Sequence, residues 1–182
     1  MISNRILFLP LIAMFVSTIG GLSGCTSPAS LKGMVVSSIP DVHRHSSTVA
    51  IISQGGSVSS GEGSIIISND DFAEAIKESI IKNGLFTKII HGKNADYVLY
   101  VTIVHMSNPL FGAKFTVSMF AEWSLFDTGN HVVMRETIKS SYTATMGDAF
   151  VAFTRFRLAV EGAVRKNICL GLKAISKLNL EQ

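Results

Sequence analysis

The sequence predicts an α+β fold: one mainly antiparallel sheet with two helices packed on one of its faces. Three observations lead to this prediction. Two long runs with a period of two residues are joined by a short turn, two segments carry an apolar stripe at helical spacing, and the elements are segregated in the order strand, helix, strands, helix. The opposite face of such a sheet would be open to solvent or would bind another molecule.

The strands follow from residue alternation. Between Phe115 and Leu125, large apolar residues occupy every second position. A turn at 127–130 precedes the run from His131 to Tyr142, so the two runs are expected to pair as an antiparallel hairpin. Residues 97–104 also alternate. Shorter strands are predicted at Thr48–Ile52, Ser64–Ser68 and Leu85–Ile90.

The two helices have different sequence signals. The first is predicted to begin at Ser68–Asp71, where side-chain oxygens can accept the unpaired amide hydrogens of the first turn. Its apolar stripe consists of Phe72, Ile76 and Ile80, and Gly84 is a natural left-handed stop. The second helix is predicted over residues 148–178, with a kink or break possible near a glycine at position 171.

The N-terminus has the composition of an export signal. Arg5 and the α-amino group are positively charged, Ile6–Val16 is apolar apart from one proline, and small residues follow. The apolar stretch is shorter than the ~20 residues that a membrane-spanning helix needs. Residues 1–24 are therefore predicted to be a signal peptide. An N-terminal membrane helix is the alternative.

Leu22-Ser23-Gly24-Cys25 resembles the lipobox of bacterial lipoproteins. The resemblance implies cleavage between Gly24 and Cys25 and attachment of diacylglycerol to the Cys25 thiol. An ordinary signal peptide with a chance cysteine is the competing interpretation. In Gram-negative lipoproteins an aspartate after the cysteine often implies retention in the inner membrane, and here that residue is Thr26. The resemblance thus implies a lipid-anchored protein of the outer membrane that faces the periplasm.

Two further parts of the chain follow the signal peptide. Residues 25–47 are rich in Ser, Pro and Gly and are predicted to be a flexible tether. Residues 48–182 are predicted to form a single periplasmic domain. With 47% hydrophobic and 16% charged residues, the chain is not expected to be disordered. Its net charge of +3 is too small to indicate nucleic-acid binding.

No motif predicts catalysis, a cofactor or a metal site. A serine elbow is absent from the sequence, and the glycine-rich segment that begins at Gly55 and Gly56 lacks a Gly-Lys-Ser/Thr ending. His43 and His45 lie in the predicted tether without a surrounding ligand cluster and are interpreted as exposed. We therefore expect a protein that is not an enzyme. A hydrolase or transferase is a third, less favoured hypothesis.

Phe120 and Phe126 lie opposite the apolar stripe of their own strand. If helices cover the stripe, these two rings are left for water, a partner or lipid. Together with Gly55 and Gly56, they are predicted to contact a protein partner in an envelope assembly for transport, secretion or surface structure. Alternatively, the strand is covered on both faces, for instance by the tether. The second function hypothesis is a periplasmic lipoprotein that carries a lipid or small ligand in a cavity lined by Met and Phe.

One short sequence segment shows a further resemblance. Asn94 to Leu99, with the sequence Asn-Ala-Asp-Tyr-Val-Leu, is similar to a strand opening that recurs in periplasmic α/β domains of bacterial lipoproteins. In structural terms, Asp96 is expected to end a turn and Tyr97 to enter the sheet.

Overall fold

The computed structural model describes residues 29–56, 67–92, 94–107, 109 and 112–180. The elements in chain order are α1 (Leu31–Met34), β1 (His45–Gln54), α2 (Asn69–Asn83), β2 (Phe86–Ile89), β3 (Tyr97–Met106), β4 (Phe115–Asp127), β5 (Val132–Ala144) and α3 (Ala152–Ser176). Five strands form an open sheet in the order β2-β1-β3-β4-β5. The predicted α+β class with two long helices is confirmed.

The sheet is mixed. β1 runs parallel to both of its neighbours, β2 and β3, whereas β3, β4 and β5 pair antiparallel. The predicted hairpin is confirmed: Phe115 pairs with Ala144 at one end and Leu125 with Met134 near the turn. The parallel pairing of β1 with β2 and β3 was not predicted. Strand direction depends on how α2 returns the chain across the sheet, and alternation within a strand does not indicate that direction.

Helix α2 begins and ends as predicted. The Ser68 hydroxyl accepts the Asp71 amide hydrogen at 2.9 Å, and Gly84 ends the helix in the left-handed region with a φ of 60°. Phe72, Ile76 and Ile80 are each fully buried. The helix therefore packs its apolar stripe onto the β1 side of the sheet.

Helix α3 covers the other half of the same face, over β4 and β5. Trp123 is completely buried beneath it, and its indole Nε1 donates to Asn167 Oδ1 at 2.9 Å. Gly171 is required at this contact because an added Cβ would lie 2.5 Å from the Trp123 ring.

The predicted tether is wrong over its described part, residues 29–47. Met34 is fully buried, and Val35, Val36 and Ile39 join the same core. The Val36 amide donates to Ser79 Oγ at 2.9 Å, and the Ile39 amide donates to Asn83 Oδ1 at 2.6 Å. The segment has no periodicity because it fills the seam between α2 and α3 and forms neither a long helix nor an inner strand. The folded domain thus includes residues from Ala29 onward.

Other predictions fall on residues that the structure does not describe. They are the signal peptide 1–24, the lipobox residues Gly24 and Cys25, and most of the predicted strand at 64–68. Among the helices in the described part of the chain, none is long and apolar enough to cross a membrane.

Candidate functional site

The face of the sheet opposite α2 and α3 carries Phe120 and Phe126, as the alternation predicts. Both rings are partly exposed, whereas Met119, Trp123 and Leu125 on the other face of β4 are fully buried. We refer to the outward residues of β3, β4 and β5 as the open face. Phe120 and Phe126 are not isolated, because each ring contacts a cationic side chain and a second ring.

Phe126 forms the first of two such groups. The Tyr100 ring of β3 stands edge-on to it, with centroids 5.5 Å apart and planes at 86°. From β5, the Arg135 guanidinium carbon lies 6.0 Å from the Phe126 centroid. These are favourable geometries for an aromatic pair and a cation–π contact.

Phe120 forms the second group at the other end of the face. The His105 ring stacks on it with centroids 5.7 Å apart and planes at 27°. Lys139 Nζ lies 5.4 Å from the Phe120 centroid. The register explains the partner, because Phe120 and Lys139 are directly opposite each other on β4 and β5.

A polar bridge lies between the two groups. Ser124 Oγ donates to Glu122 Oε1 at 3.2 Å and accepts from Arg135 Nε at 3.3 Å, while Arg135 Nε lies 3.8 Å from Glu122 Oε1. The side chains of Arg135 and Glu122 are about half exposed, so their ion pair is screened and weak. Arg135 therefore keeps donors available to another molecule.

Two depressions indent the open face near the end at which β3 begins. One, of about 290 Å³, lies beside β1 and includes Ile52 and Ile90. The other, of about 320 Å³, includes Phe126 and Asn130. Val98 and Tyr100 line both, so the depressions form one trough across the strands.

The sequence did not single out Tyr100 as part of this site. A signal for it existed, since Val98 and Tyr100 are outward positions of a strand whose alternate residues are buried. Which strand lay beside β3, and in which register, was needed to bring Tyr100 to Phe126.

Gly55 and Gly56 directly follow the end of β1, and Gly55 lies against Ile103 of β3. Gly55 has a φ of 78° and approaches the Ile103 carbonyl so closely that any Cβ would collide with it. Gly56 is buried, and its amide donates to Asn69 Oδ1 at 2.7 Å at the start of α2. Both positions thus have a packing reason for glycine. A role in partner binding stays a prediction, and residues 57–66 of the same loop are not described.

Asp96, which directly precedes β3, connects that strand to β1 through hydrogen bonds. Its Oδ2 accepts hydrogen bonds from Thr48 N and Thr48 Oγ1, both at 2.7 Å, and these bonds lower the pKa of the carboxyl. Tyr97 enters the sheet buried, and its hydroxyl donates to the Leu180 carbonyl at 3.1 Å. Asp96 and Tyr97 of the Asn-Ala-Asp-Tyr-Val-Leu segment therefore have a structural role.

The two tether histidines differ. His43 is exposed as predicted, but the same prediction is wrong for His45, which is 5% exposed and lies 3.1 Å from the Ile175 carbonyl through Nε2. Burial lowers the pKa of His45, and the nearby His43 adds to this effect, while the Ile175 carbonyl opposes it. Within the described ranges, no three His, Cys, Asp or Glu side chains are grouped to hold a metal ion.

Similarity to known proteins is found in the fold and not in the sequence. No family model and no curated protein matches the sequence. A Xanthomonas campestris protein of the DUF330 family has a similar structure, with a TM-score of 0.58 and 11% identity, over 79% of this chain and 90% of that one. A hypothetical protein from Chlamydia trachomatis gives a TM-score of 0.52 with 12% identity, over 72% of this chain and 98% of that one.

A minor lipoprotein from Acinetobacter baumannii is also similar. Its TM-score is 0.50 with 13% identity, over 76% of this chain and 98% of that one. At identities this low, the three likenesses show a shared fold.

Proposed function

We propose that this chain is a non-enzymatic lipoprotein, anchored in the outer membrane through acylated Cys25 and facing the periplasm. Its domain binds a protein partner in an envelope assembly for transport, secretion or surface structure. The lipobox-like residues Leu22 to Cys25 support the anchor. The likeness in fold to a minor lipoprotein of Acinetobacter baumannii is in keeping with it.

The open face is the observation that carries the partner-binding part. It places Phe120 and Phe126 beside Lys139 and Arg135, so apolar rings and cations are presented together. The carboxylate that faces them is Glu122, already engaged with Ser124 and Arg135. A partner with an apolar ridge bordered by carboxylates fits this surface, because aromatic residues and arginine contribute most to protein interfaces.

The alternative, a carrier of a lipid or small ligand, finds less support. It requires Met and Phe side chains that line a cavity between sheet and helices. Instead, Met34, Met119 and Phe72 are fully buried within the packed core, and Gly171 allows α3 to approach Trp123 closely. The trough on the open face offers a ligand only a shallow binding surface.

The anchor has a direct test. In a Gram-negative host grown with a clickable palmitate analogue, the wild-type chain is expected to become labelled, whereas Cys25→Ser is not, because its hydroxyl cannot form the diacylglycerol thioether. Labelling is read by gel fluorescence after immunoprecipitation. Cys169→Ser is the matched control and should label like the wild type. Equal labelling of wild type and Cys25→Ser would contradict the proposal.

The partner has a separate test. Affinity purification from crosslinked envelopes is expected to recover a reproducible partner with the wild type and to lose it with Phe120→Ser/Phe126→Ser, because the double substitution removes both rings of the open face. Ile81→Ser is the control, since Ile81 is 67% exposed but lies on α2, on the other side of the sheet. Quantitative mass spectrometry compares the three samples.

Three other outcomes of this experiment would each contradict a different part of the proposal. Retention of the partner by the double variant would show that the open face is not the interface. Loss from Ile81→Ser alone would assign the contact to the helical side. A lipid that copurifies with the wild type in fixed ratio, and no protein partner, would favour the carrier.

A further inference from the structure

The path of residues 30–45 relates the anchor to the rest of the domain. The Ser30 amide donates to Glu161 Oε1 at 2.7 Å, and Arg165 Nη1 donates to the Gly33 carbonyl at 2.6 Å. Farther along, the His43 amide donates to Ser176 Oγ at 2.8 Å. This segment therefore runs alongside α3 from its middle, near Glu161, to its C-terminal end, near Ser176.

That end of α3 carries an exposed apolar loop, residues 145–151, between β5 and the helix. Phe150 is 86% exposed, Val151 62% and Met146 52%. Phe150 is the most exposed of the large hydrophobic side chains in the described part of the chain. Three such residues close together in sequence form an apolar projection, which is costly in water and indicates a contact.

The exposure of Phe150 is built into the fold, since the backbone around it is fixed. Arg155 is 3% exposed, and its Nη1 donates to the carbonyls of Ala149 and Phe150, both at 2.9 Å. At the start of the loop, Asp148 Oδ2 accepts from Thr145 N at 2.7 Å and from Thr145 Oγ1 at 2.8 Å. These bonds hold the loop in place while the Phe150 side chain points away from the core.

The reach of the anchor matches the position of this loop. Four peptide units separate Cys25 from Ala29, and they span at most ~14 Å. Ala29 is buried against the domain. The distance along α3 from Glu161 back to Val151 is ten residues, or ~15 Å at the rise of an α-helix. Cys25 is therefore within reach of the N-terminal end of α3, and acyl chains on Cys25 would bring that end to the membrane.

We propose that the 145–151 loop is a second membrane contact: Phe150, Met146 and Val151 insert into the boundary between headgroups and acyl chains of the leaflet that holds Cys25. This inference rests on the proposed lipid anchor. Apolar and aromatic side chains gain free energy in that layer, and an acyl anchor removes most of the entropy cost of bringing them there. Lys114 is exposed at the same end of the sheet, next to the pair Phe115–Ala144, and suits anionic headgroups.

The arrangement is compatible with the open face. β5 runs from Ala144, next to the loop, to Val132 at the far end, and its twelve residue steps span ~40 Å. The 145–151 loop lies at one end of β5, whereas the open face extends along the side of the sheet. Membrane contact and partner contact use different surfaces.

A tryptophan substitution tests the membrane contact. The full chain is matured in a Gram-negative host, purified with its anchor and reconstituted into phosphatidylethanolamine–phosphatidylglycerol vesicles, with or without lipid brominated near the headgroup end of the acyl chains. Bromine quenches an indole only at short range. Trp123 is fully buried and gives a constant background. The variants are Phe150→Trp and, as the matched control, Val132→Trp, since Val132 is 50% exposed at the opposite end of β5.

Phe150→Trp is expected to lose most of its added emission in brominated vesicles, and Val132→Trp to lose none. Equal quenching of the two, or quenching of neither, in protein that floats with the vesicles would overturn the membrane contact and leave the lipid anchor standing. Emission from Phe150→Trp that stays unquenched yet shifts to the blue as protein density rises would assign the loop to a contact between copies of the chain instead. Failure of the protein to float would refute the anchor, and the inference with it.

Discussion

The two faces of the sheet use the same strands for different purposes. On the covered face of β4, Trp123 and Leu125 are completely buried under α3. One residue away on the open face, Phe126 stays partly exposed beside Arg135 and Tyr100. An aromatic residue in a strand therefore indicates a core only when another layer covers its side of the sheet, and otherwise it indicates a contact surface.

Polar groups also differ between the faces. On the covered face, Asn167 is fully buried, accepts from Trp123, and donates to the Ile138 carbonyl at 2.9 Å and to Ser140 Oγ at 3.3 Å. Ser140 Oγ donates in turn to the Ala163 carbonyl at 2.8 Å. A satisfied buried network of this kind fixes one arrangement of α3 on the sheet. On the open face, by contrast, the Arg135 and Glu122 side chains are about half exposed to solvent.

The largest expected effect tests the covered face. Trp123→Ala should lower the free energy of unfolding by about 3–5 kcal/mol, because it leaves a cavity under α3 and removes the hydrogen bond to Asn167. The change is measured by guanidinium denaturation followed by circular dichroism. Trp123→Phe is the control that keeps a ring and loses the donor, with an expected loss of about 1–3 kcal/mol. A loss below 1 kcal/mol for the alanine variant would mean that α3 does not depend on this contact.

An intermediate effect concerns the buried end of β1. Since the folded-state pKa of His45 lies below its ordinary value of 6.5, the unfolded chain binds the proton more readily. The stability that neutral His45 provides is present above pH 6.5 and is lost as the pH falls towards the lowered pKa, by at most about 1.4 kcal/mol per pH unit. Denaturation midpoints between pH 7.5 and 5.5 should therefore fall for the wild type and change less for His45→Gln.

Exposed His43 provides the matched control, and His43→Gln should keep most of the pH dependence. The carboxyls of Asp96, Asp127 and Asp148 also have lowered pKa values, but from an ordinary value of 3.8. The stability that these carboxylates provide is lost only below pH 3.8. A change in stability between pH 7.5 and 5.5 is therefore assigned to histidine. A slope that His45→Gln leaves unchanged would contradict the assignment.

The smallest effect is expected on the open face. Phe120→Ser and Phe126→Ser should each destabilise the domain by about 1 kcal/mol or less, because each ring loses only cross-strand contacts with side chains that stay partly exposed. The same denaturation experiment measures this loss. A cost as large as that of Trp123→Ala would show that something covers the open face in solution, and the contrast between the faces would fail.

Most of the local structure could be predicted from patterns of nearby residues. Alternation at 115–125 identified the apolar residues of β4 that are buried, and the spacing of Phe72, Ile76 and Ile80 identified the buried side of α2. Ser68 and Gly84 marked the ends of that helix through chemistry within a few residues of the chain. The hairpin followed from its turn, and the exposure of Phe120 and Phe126 followed from the period of a strand.

How these parts meet is seen only in the folded chain. β1 lies parallel between β2 and β3, and the antiparallel register of β3 with β4 brings Tyr100 next to Phe126. Met34 and Val36 fill a seam between helices, although their segment has the composition of a loop. Strand order and seam filling depend on contacts between residues far apart in the chain, and these leave no periodic signal in the sequence. For the same reason, the path of residues 30–45 along α3 could be found only in the folded chain.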